Sequence, residues 1–285
     1  MNSHGRFITM NEIDIPTFLY GTAWKEEKTE ALTYQALEMG FAGIDTANQR
    51  KHYHEEGVGR AIKRFLETGI RKREELFVQT KFTFAQGQDH RKPYDENDPY
   101  AIQVRQSFEN SLQHLDLNYI DSYILHGPFS GRGLTEEDWE TWGAMEGLQK
   151  AGAVKRLGVS NFNLAQFQEL HGRAKVKPSF IQNRCFAAVG WDKAIRDFCK
   201  ESHIQYQGFS LLTANRSELS HPSIALISKK YKRTIPQIVF RFTQQIGAIP
   251  LTGTSSRQHM QEDLNIFDFE LTPDELAQVT RIGLD

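Results

Sequence analysis

Cysteine is almost absent: Cys185 and Cys199 are the only two in 285 residues, and neither belongs to a C-x-x-C pair. That excludes a C-x-x-C redox or metal motif and leaves two reduced, buried thiols as the expectation. No proline- or glycine-rich stretch divides the chain, so no linker between domains is expected. Long apolar runs are missing too, and with them any segment able to span a bilayer. The opening MNSHGRFITMNEIDIP has neither the apolar centre of a signal peptide nor a basic amphipathic pattern, so a cytoplasmic protein is expected. An excess of one charge is also lacking: the formal net charge is -2, with Lys and Arg spread along the chain. A basic face for nucleic acid or an acidic membrane is therefore not expected, and a small molecule is the expected partner.

What the chain does have is alternation. TFLYGTA, FAGIDTA, LFVQTKF, IDSYILH, VKRLGVS, SFIQNRC, IQYQGFSLL and AIPLTGT each read as a strand buried on both faces. Helical patterns separate them, at 27–39, 55–67, 99–115, 136–150, 164–174, 191–202 and 223–246, the last broken near Thr234, with SRQHMQEDLNIF after the final strand. Helix starts are marked by Asp98 before Pro99, and by Thr135, Thr234 and Thr272, while Gly40, Gly69, Gly152 and Gly247 mark ends. Strand then helix, repeated eight times, implies an α/β fold of the (β/α)8 TIM-barrel type, and barrels of about 250 residues fold as one domain. One domain over 1–285 is the expectation. An open doubly wound sheet would need a glycine-rich turn after its first strand, and GTAWKE is not one.

A (β/α)8 barrel reacts at the C-terminal ends of its strands. Asp45, Lys81 and His126 stand at three successive ends, and Tyr53 reaches the same mouth from the loop after the second strand. Pairing Lys81 with Asp45 lowers the cost of burying either charge. An ammonium beside a phenol favours the phenolate, so Lys81 is expected to draw Tyr53 below its ordinary value of about 10 and make it a usable acid or base. His126 is then expected to hydrogen-bond a substrate oxygen. Ser160, Asn161 and Gln182 offer amide and hydroxyl groups suited to a carboxamide, and Phe209 offers a face for a planar ring. A carboxamide on a flat ring is what nicotinamide presents.

GTAW (21–24), GIDTA (43–47), VQTKF (78–82), YILHGP (123–128), RLGVSNF (156–162), IQN (181–183), YQGFSLL (206–212) and FDFELTPDEL (267–276) together resemble the aldo-keto reductase family, in family order over nearly the whole chain. The resemblance implies a nicotinamide-dependent oxidoreductase that reduces aldehydes and ketones to alcohols, with a catalytic tetrad carried over to Asp45, Tyr53, Lys81 and His126. The family's tyrosine usually follows its aspartate by five residues, whereas Tyr53 follows Asp45 by eight, so three extra residues are expected in this loop. Cofactor contacts are implied at Gly21, Thr22, Ser160, Asn161, Gln182, Phe209, Ser210 and Leu212. Further along they are implied at Thr252, Ser255, Arg257, His259 and Asp263.

NADP(H) is the expected cofactor, with NAD(H) as the alternative, because Leu251 stands where NADP-preferring relatives place a Lys. Trp24, Phe82, Phe84 and Phe129 are expected to line an apolar substrate pocket. The sequence ends soon after its last helix, and a broad site follows as an expectation, in a monomer or weak oligomer. His52, His54 and His90 invite a metal reading, since HYH resembles the H-x-H of metal-dependent barrel hydrolases, but it lies in a loop after the second strand and no metal site is expected. A different class of function, a cofactor-binding redox sensor with little turnover, is the alternative that the altered loop before Tyr53 keeps open.

Overall fold

Eight strands close into a parallel barrel in the computed structural model, which describes residues 6–10 and 13–284. The reading of the first five residues as free of a targeting signal lies outside these. The barrel strands are β3 (Leu19–Gly21), β4 (Gly43–Asp45), β5 (Phe77–Phe82), β6 (Ile120–Leu125), β7 (Val154–Ser160), β8 (Phe180–Arg184), β9 (Gln205–Phe209) and β10 (Ala248–Thr252). Each falls inside a run expected to be a strand. Before them, β1 (Phe7–Met10) and β2 (Ile13–Pro16) pair antiparallel with Ile8 opposite Ile15, a hairpin the sequence reading missed.

The helices are α1 (Thr29–Met39), α2 (Glu55–Glu67), α3 (Tyr100–Leu115), α4 (Glu136–Lys150), α5 (Leu164–Arg173), α6 (Lys193–Glu201), α7 (Pro222–Tyr231), α8 (Ile235–Gln245), α9 (Arg257–Leu264) and α10 (Pro273–Arg281). Their starts follow from reciprocal caps. Thr234 and Thr272 each accept from the backbone N–H three residues on, while Gln237 and Glu275 reach back to the capping residues' own N–H groups. Asp138 closes the same loop with Thr135, accepting from its N–H at 2.9 Å. Asp98 is not a cap: α3 begins after Pro99, and the Asp98 carboxylate accepts from Gln106 Nε2 at 2.7 Å instead. No helix among the described residues is long and apolar enough to cross a membrane.

Contacts divide the chain into two compact units, residues 20–181 on one side and residues 182 onward with the N-terminal segment on the other. In the first, α2 lies so close to α3 that a Cβ on Gly59 would stand 2.1 Å from the His114 carbonyl oxygen. Asp121, nearly buried on β6, is held by Arg73 at 2.7 Å and Lys155 at 3.0 Å. In the second, Trp191 Nε1 donates to the Val279 carbonyl at 3.0 Å, tying α10 down. Cys185 and Cys199 are both free and buried, as expected, and burial pushes each thiol up to about 12.

Candidate active site

Alternation along β5 puts Gln79 and Lys81 on one face. Lys81 is fully buried, and its Nζ stands 2.6 Å from Asp45 Oδ1 and 2.7 Å from the Thr46 carbonyl oxygen. Gln79 Nε2 donates to the same Asp45 oxygen at 2.7 Å. Thr22, at the end of β3, donates its hydroxyl to the Asp45 carbonyl at 3.0 Å, so that strand end is braced from two sides. Burial lowers the pKa of Lys81, and the Asp45 carboxylate acts against that.

Tyr53 enters the same space from the loop after β4. Its N–H donates to the Gln49 carbonyl at 3.0 Å, as does that of His52, so residues 50–52 bulge out and the chain returns to where it left. A bulge of that size absorbs the three extra residues. The Tyr53 ring meets the His126 ring edge-on, with centroids 6.0 Å apart and planes at 68°, and Lys81 Nζ lies 5.4 Å from the Tyr53 ring centre. Asp45, Tyr53, Lys81 and His126 therefore gather in one place.

Their electrostatics differ from the expectation. Lys81 directs its bonds to Asp45 and Thr46, not to the phenol, and Tyr53 is pushed well above its ordinary pKa by burial, with the Asp45 charge adding to the effect. The phenol stays protonated. His126 is also neutral: burial, then the nearby Lys81 and His52 charges, push it down to about 3. Its Nδ1 is 2.7 Å from Thr83 Oγ1. With the Thr83 hydroxyl donating to Nδ1, the hydrogen of a neutral His126 sits on Nε2.

At the end of β7, Asn161 Nδ2 donates to the His126 carbonyl at 2.8 Å and to Ser160 Oγ at 3.2 Å. Both of its donor directions face inward, and its exposed Oδ1 is left to accept from an incoming N–H2, which suits a nicotinamide carboxamide. Trp24, Asn161 and Ser210 all adopt left-handed backbone conformations, at φ of 60°, 58° and 56°. Such strain in non-glycine residues at strand ends is a usual mark of a functional face.

The second unit holds the remaining candidates. Gln182 Nε2 donates to Gln207 Oε1 at 3.0 Å, and Phe209 has the Arg184 guanidinium 5.6 Å from its ring centre. Gly21 in the first unit and Ser210 and Leu212 in the second are part-exposed. Ser255, Arg257 and His259 are exposed around the start of α9, where Ser256 caps the helix. Thr252 and Asp263 are instead bonded to each other at 2.8 Å inside the fold, and burial raises the Asp263 carboxyl to about 7. Both side chains are buried.

The model of the Aldo/keto reductase family matches residues 17–283. This chain belongs to the aldo/keto reductase family. Glyoxal reductase of Bacillus subtilis (strain 168) is 31% identical over 277 residues, covering 96% of this chain and 91% of the relative. Prostaglandin F synthase 1 of Bos taurus is 31% identical, covering 93% and 87%. Among solved structures, an aldo-keto reductase from Bombyx mori in complex with NADP superposes with a TM-score of 0.81 at 26% identity, covering 97% of this chain and 92% of that one. The protein is accordingly an NAD(P)H-dependent oxidoreductase of carbonyl compounds.

Two of the four aromatics expected to line this reductase's substrate pocket do not. Phe82 is fully buried against Phe84 and Tyr94, with ring centroids 5.3 and 5.6 Å away, because alternation that turns Lys81 inward turns Phe82 outward. Phe84 is likewise buried, beneath Phe129 and Tyr100. Trp24 is 70% exposed and lies against His52, and Phe129 is part-exposed. Beside Tyr53 there is a polar cavity of about 300 Å³, bordered by Asn48, Gln49, Arg50, Glu56, Arg91 and His114. Sequence reading missed Gln79 and Thr83, although both stand two residues from Lys81 and share its face. It also missed Glu55, whose buried carboxylate accepts from Thr80 Oγ1 and from Ser111 Oγ at 3.1 Å and so anchors the start of α2 just after Tyr53.

Proposed function

We propose that the reductase converts aldehydes and ketones to alcohols with Tyr53 as the proton donor. The carrying observation is the meeting of a protonated phenol and a neutral imidazole, Tyr53 and His126, edge-on at 6.0 Å. The phenol, and the imidazole with its hydrogen on Nε2, can both donate to one oxygen, where negative charge develops as a carbonyl becomes an alkoxide. His126 holds that oxygen, and Tyr53 gives up its proton to it; the alkoxide is the stronger base, so a raised phenol pKa does not prevent transfer. Asp45 and Lys81 form a neutral buried pair beneath, which fixes the floor of the site. Reduced nicotinamide, when bound, supplies the hydride.

Asn161 and Ser160 are the groups proposed to hold the carboxamide. Ser255, Arg257 and His259, exposed at the start of α9, are proposed to bind phosphate, a fit favoured by the positive end of a helix. NADP(H) is the cofactor favoured by that arrangement, with NAD(H) accepted as well, since Leu251 is buried and offers no charge. The same reading has the protein work as a single domain in the cytoplasm, as a monomer or weak oligomer. Fluorescence titration with NADPH and NADH, followed by turnover of benzaldehyde, tests it. Binding with consumption of reduced cofactor supports reduction; binding without consumption points to a sensor.

A further inference from the structure

The polar cavity of about 300 Å³ shares Tyr53 with the catalytic cluster, but Asp45, Lys81 and His126 do not border it. Its walls come from the loop after β4, the start of α2, residues 91–93 and α3. Asn48 lies on this border at 6% exposure, and both hydrogens of its amide are spent on α3. One goes to the Ser107 carbonyl at 2.9 Å and the other to Asn110 Oδ1 at 3.0 Å. A backbone carbonyl can only accept, so the Asn48 amide has a fixed orientation, and the Asn110 amide follows it. Asn48 Oδ1 and Asn110 Nδ2 are left without a protein partner among the described residues, an acceptor and a donor on the border of one cavity. A nearly buried amide oxygen of this kind gains when a ligand hydroxyl meets it.

Three cations stand on the same border: Arg50, Arg91 and Lys92. Arg91 and Lys92 pair with Asp89 and Glu96, acids of the same surface segment that lie off the border, and Arg50 reaches Glu56 only at 3.5 Å. Solvent-accessible pairs contribute little and leave the cation able to turn. Glu55, the other acid on the border, is already taken up by Thr80, Ser111 and His114. Three cations against two carboxylates leave positive charge in excess. His114 adds to it: burial lowers its pKa, but the bond to Glu55 and the charges of Glu55 and Glu56 outweigh burial and raise it. Guanidinium groups grip a phosphate through paired N–H donors.

We propose that this cavity binds a small phosphate ester bearing hydroxyl groups: Arg50, Arg91 and Lys92 hold the phosphate, while Asn48 Oδ1 and Asn110 Nδ2 hold a hydroxyl. The volume falls at the lower end for small-molecule sites and exceeds what a phosphate ion alone fills. Arg50 belongs to the 50–52 bulge, Arg91 already donates to the Arg50 carbonyl at 3.3 Å, and Tyr53 itself borders the cavity. The bound ester is therefore an effector, which ties the bulge to the segment after β5 and steadies the loop that carries Tyr53. It is not a substrate, because neither Lys81 nor His126 borders this space. The effector role rests on Tyr53 as the proton donor; the binding does not.

The probe is glycerol 3-phosphate, which has no carbonyl to be reduced. Calorimetric titration at constant ionic strength compares the wild type, Arg50→Gln, Lys92→Gln and Arg257→Ala. Binding is expected in the wild type, weaker on the order of tenfold in Arg50→Gln and in Lys92→Gln, and unchanged in Arg257→Ala. Inorganic phosphate is expected to bind less tightly, since it has no second group to place at Asn48. Absence of binding overturns the site. So does binding that Arg257→Ala removes and Arg50→Gln leaves intact, which places the ester at α9. Phosphate that binds as tightly as the ester overturns the hydroxyl contact. With NADPH saturating, the ester is expected to raise kcat for benzaldehyde in the wild type and not in Arg50→Gln; an unchanged kcat alongside binding overturns the effector role. A wild type that binds the ester but reduces no aldehyde overturns the reading of carbonyl reduction and leaves the site standing.

Discussion

His126 does its work by refusing a proton. An unfolded histidine titrates near 6.5, while His126 in the fold is pushed down to about 3, so between these values the unfolded chain binds more protons than the native one. Stability therefore rises with pH across this window and is lost as pH falls from about 6.5. Urea melts at pH 7 and pH 5 should show the wild type losing more stability than His126→Gln; equal losses would mean that this imidazole is not held neutral. Asp45, Lys81 and His126 were legible in the sequence because strand ends are easy to locate. What could not be read was where the ammonium points. Thr46 and Asp45 capture Lys81, and burial then leaves Tyr53 protonated rather than acidified. Phe82 was misplaced for a related reason: its neighbour Lys81 claims the inward face.

Helices and loops hold Tyr53 where the residues need it. Caps written locally as Thr-x-x-Gln or Thr-x-x-Glu were readable, and α8 and α10 start where they indicate. The seam between the loop carrying Tyr53 and the segment after β5 was not readable, because it depends on buried amides far apart in sequence. Gln49 donates to the Gly87 carbonyl, Gln88 Nε2 to the Asn48 carbonyl at 2.8 Å, and Arg91 to the Arg50 carbonyl at 3.3 Å. The antiparallel β1–β2 hairpin lay outside the strand–helix rhythm. Contact between α2 and α3 underpins the same loop, and Gly59 permits it. Gly59→Ala should cost about 1–3 kcal/mol in chemical denaturation, since the added methyl meets backbone rather than a flexible side chain. A variant as stable as the wild type would show that these helices separate without penalty.

Across the whole molecule, ordered strand-end fragments carried both the fold and the family, and the family model spans residues 17–283. Cofactor choice depends on finer detail around α9. Leu251 brings no cation there, so preference for NADPH over NADH should be modest, and Arg257→Ala or His259→Ala should narrow it further when the dissociation constants are compared. A strong preference untouched by either change contradicts the proposed phosphate site.

Whether the assembled groups perform proton transfer is decided by Tyr53→Phe, which removes one hydroxyl and keeps the ring. General acids contribute on the order of 10² to 10⁴ in rate, so kcat for benzaldehyde reduction should fall within that range while cofactor affinity stays near the wild-type value. Near-normal kcat in the folded variant would contradict the assignment of Tyr53 as the acid.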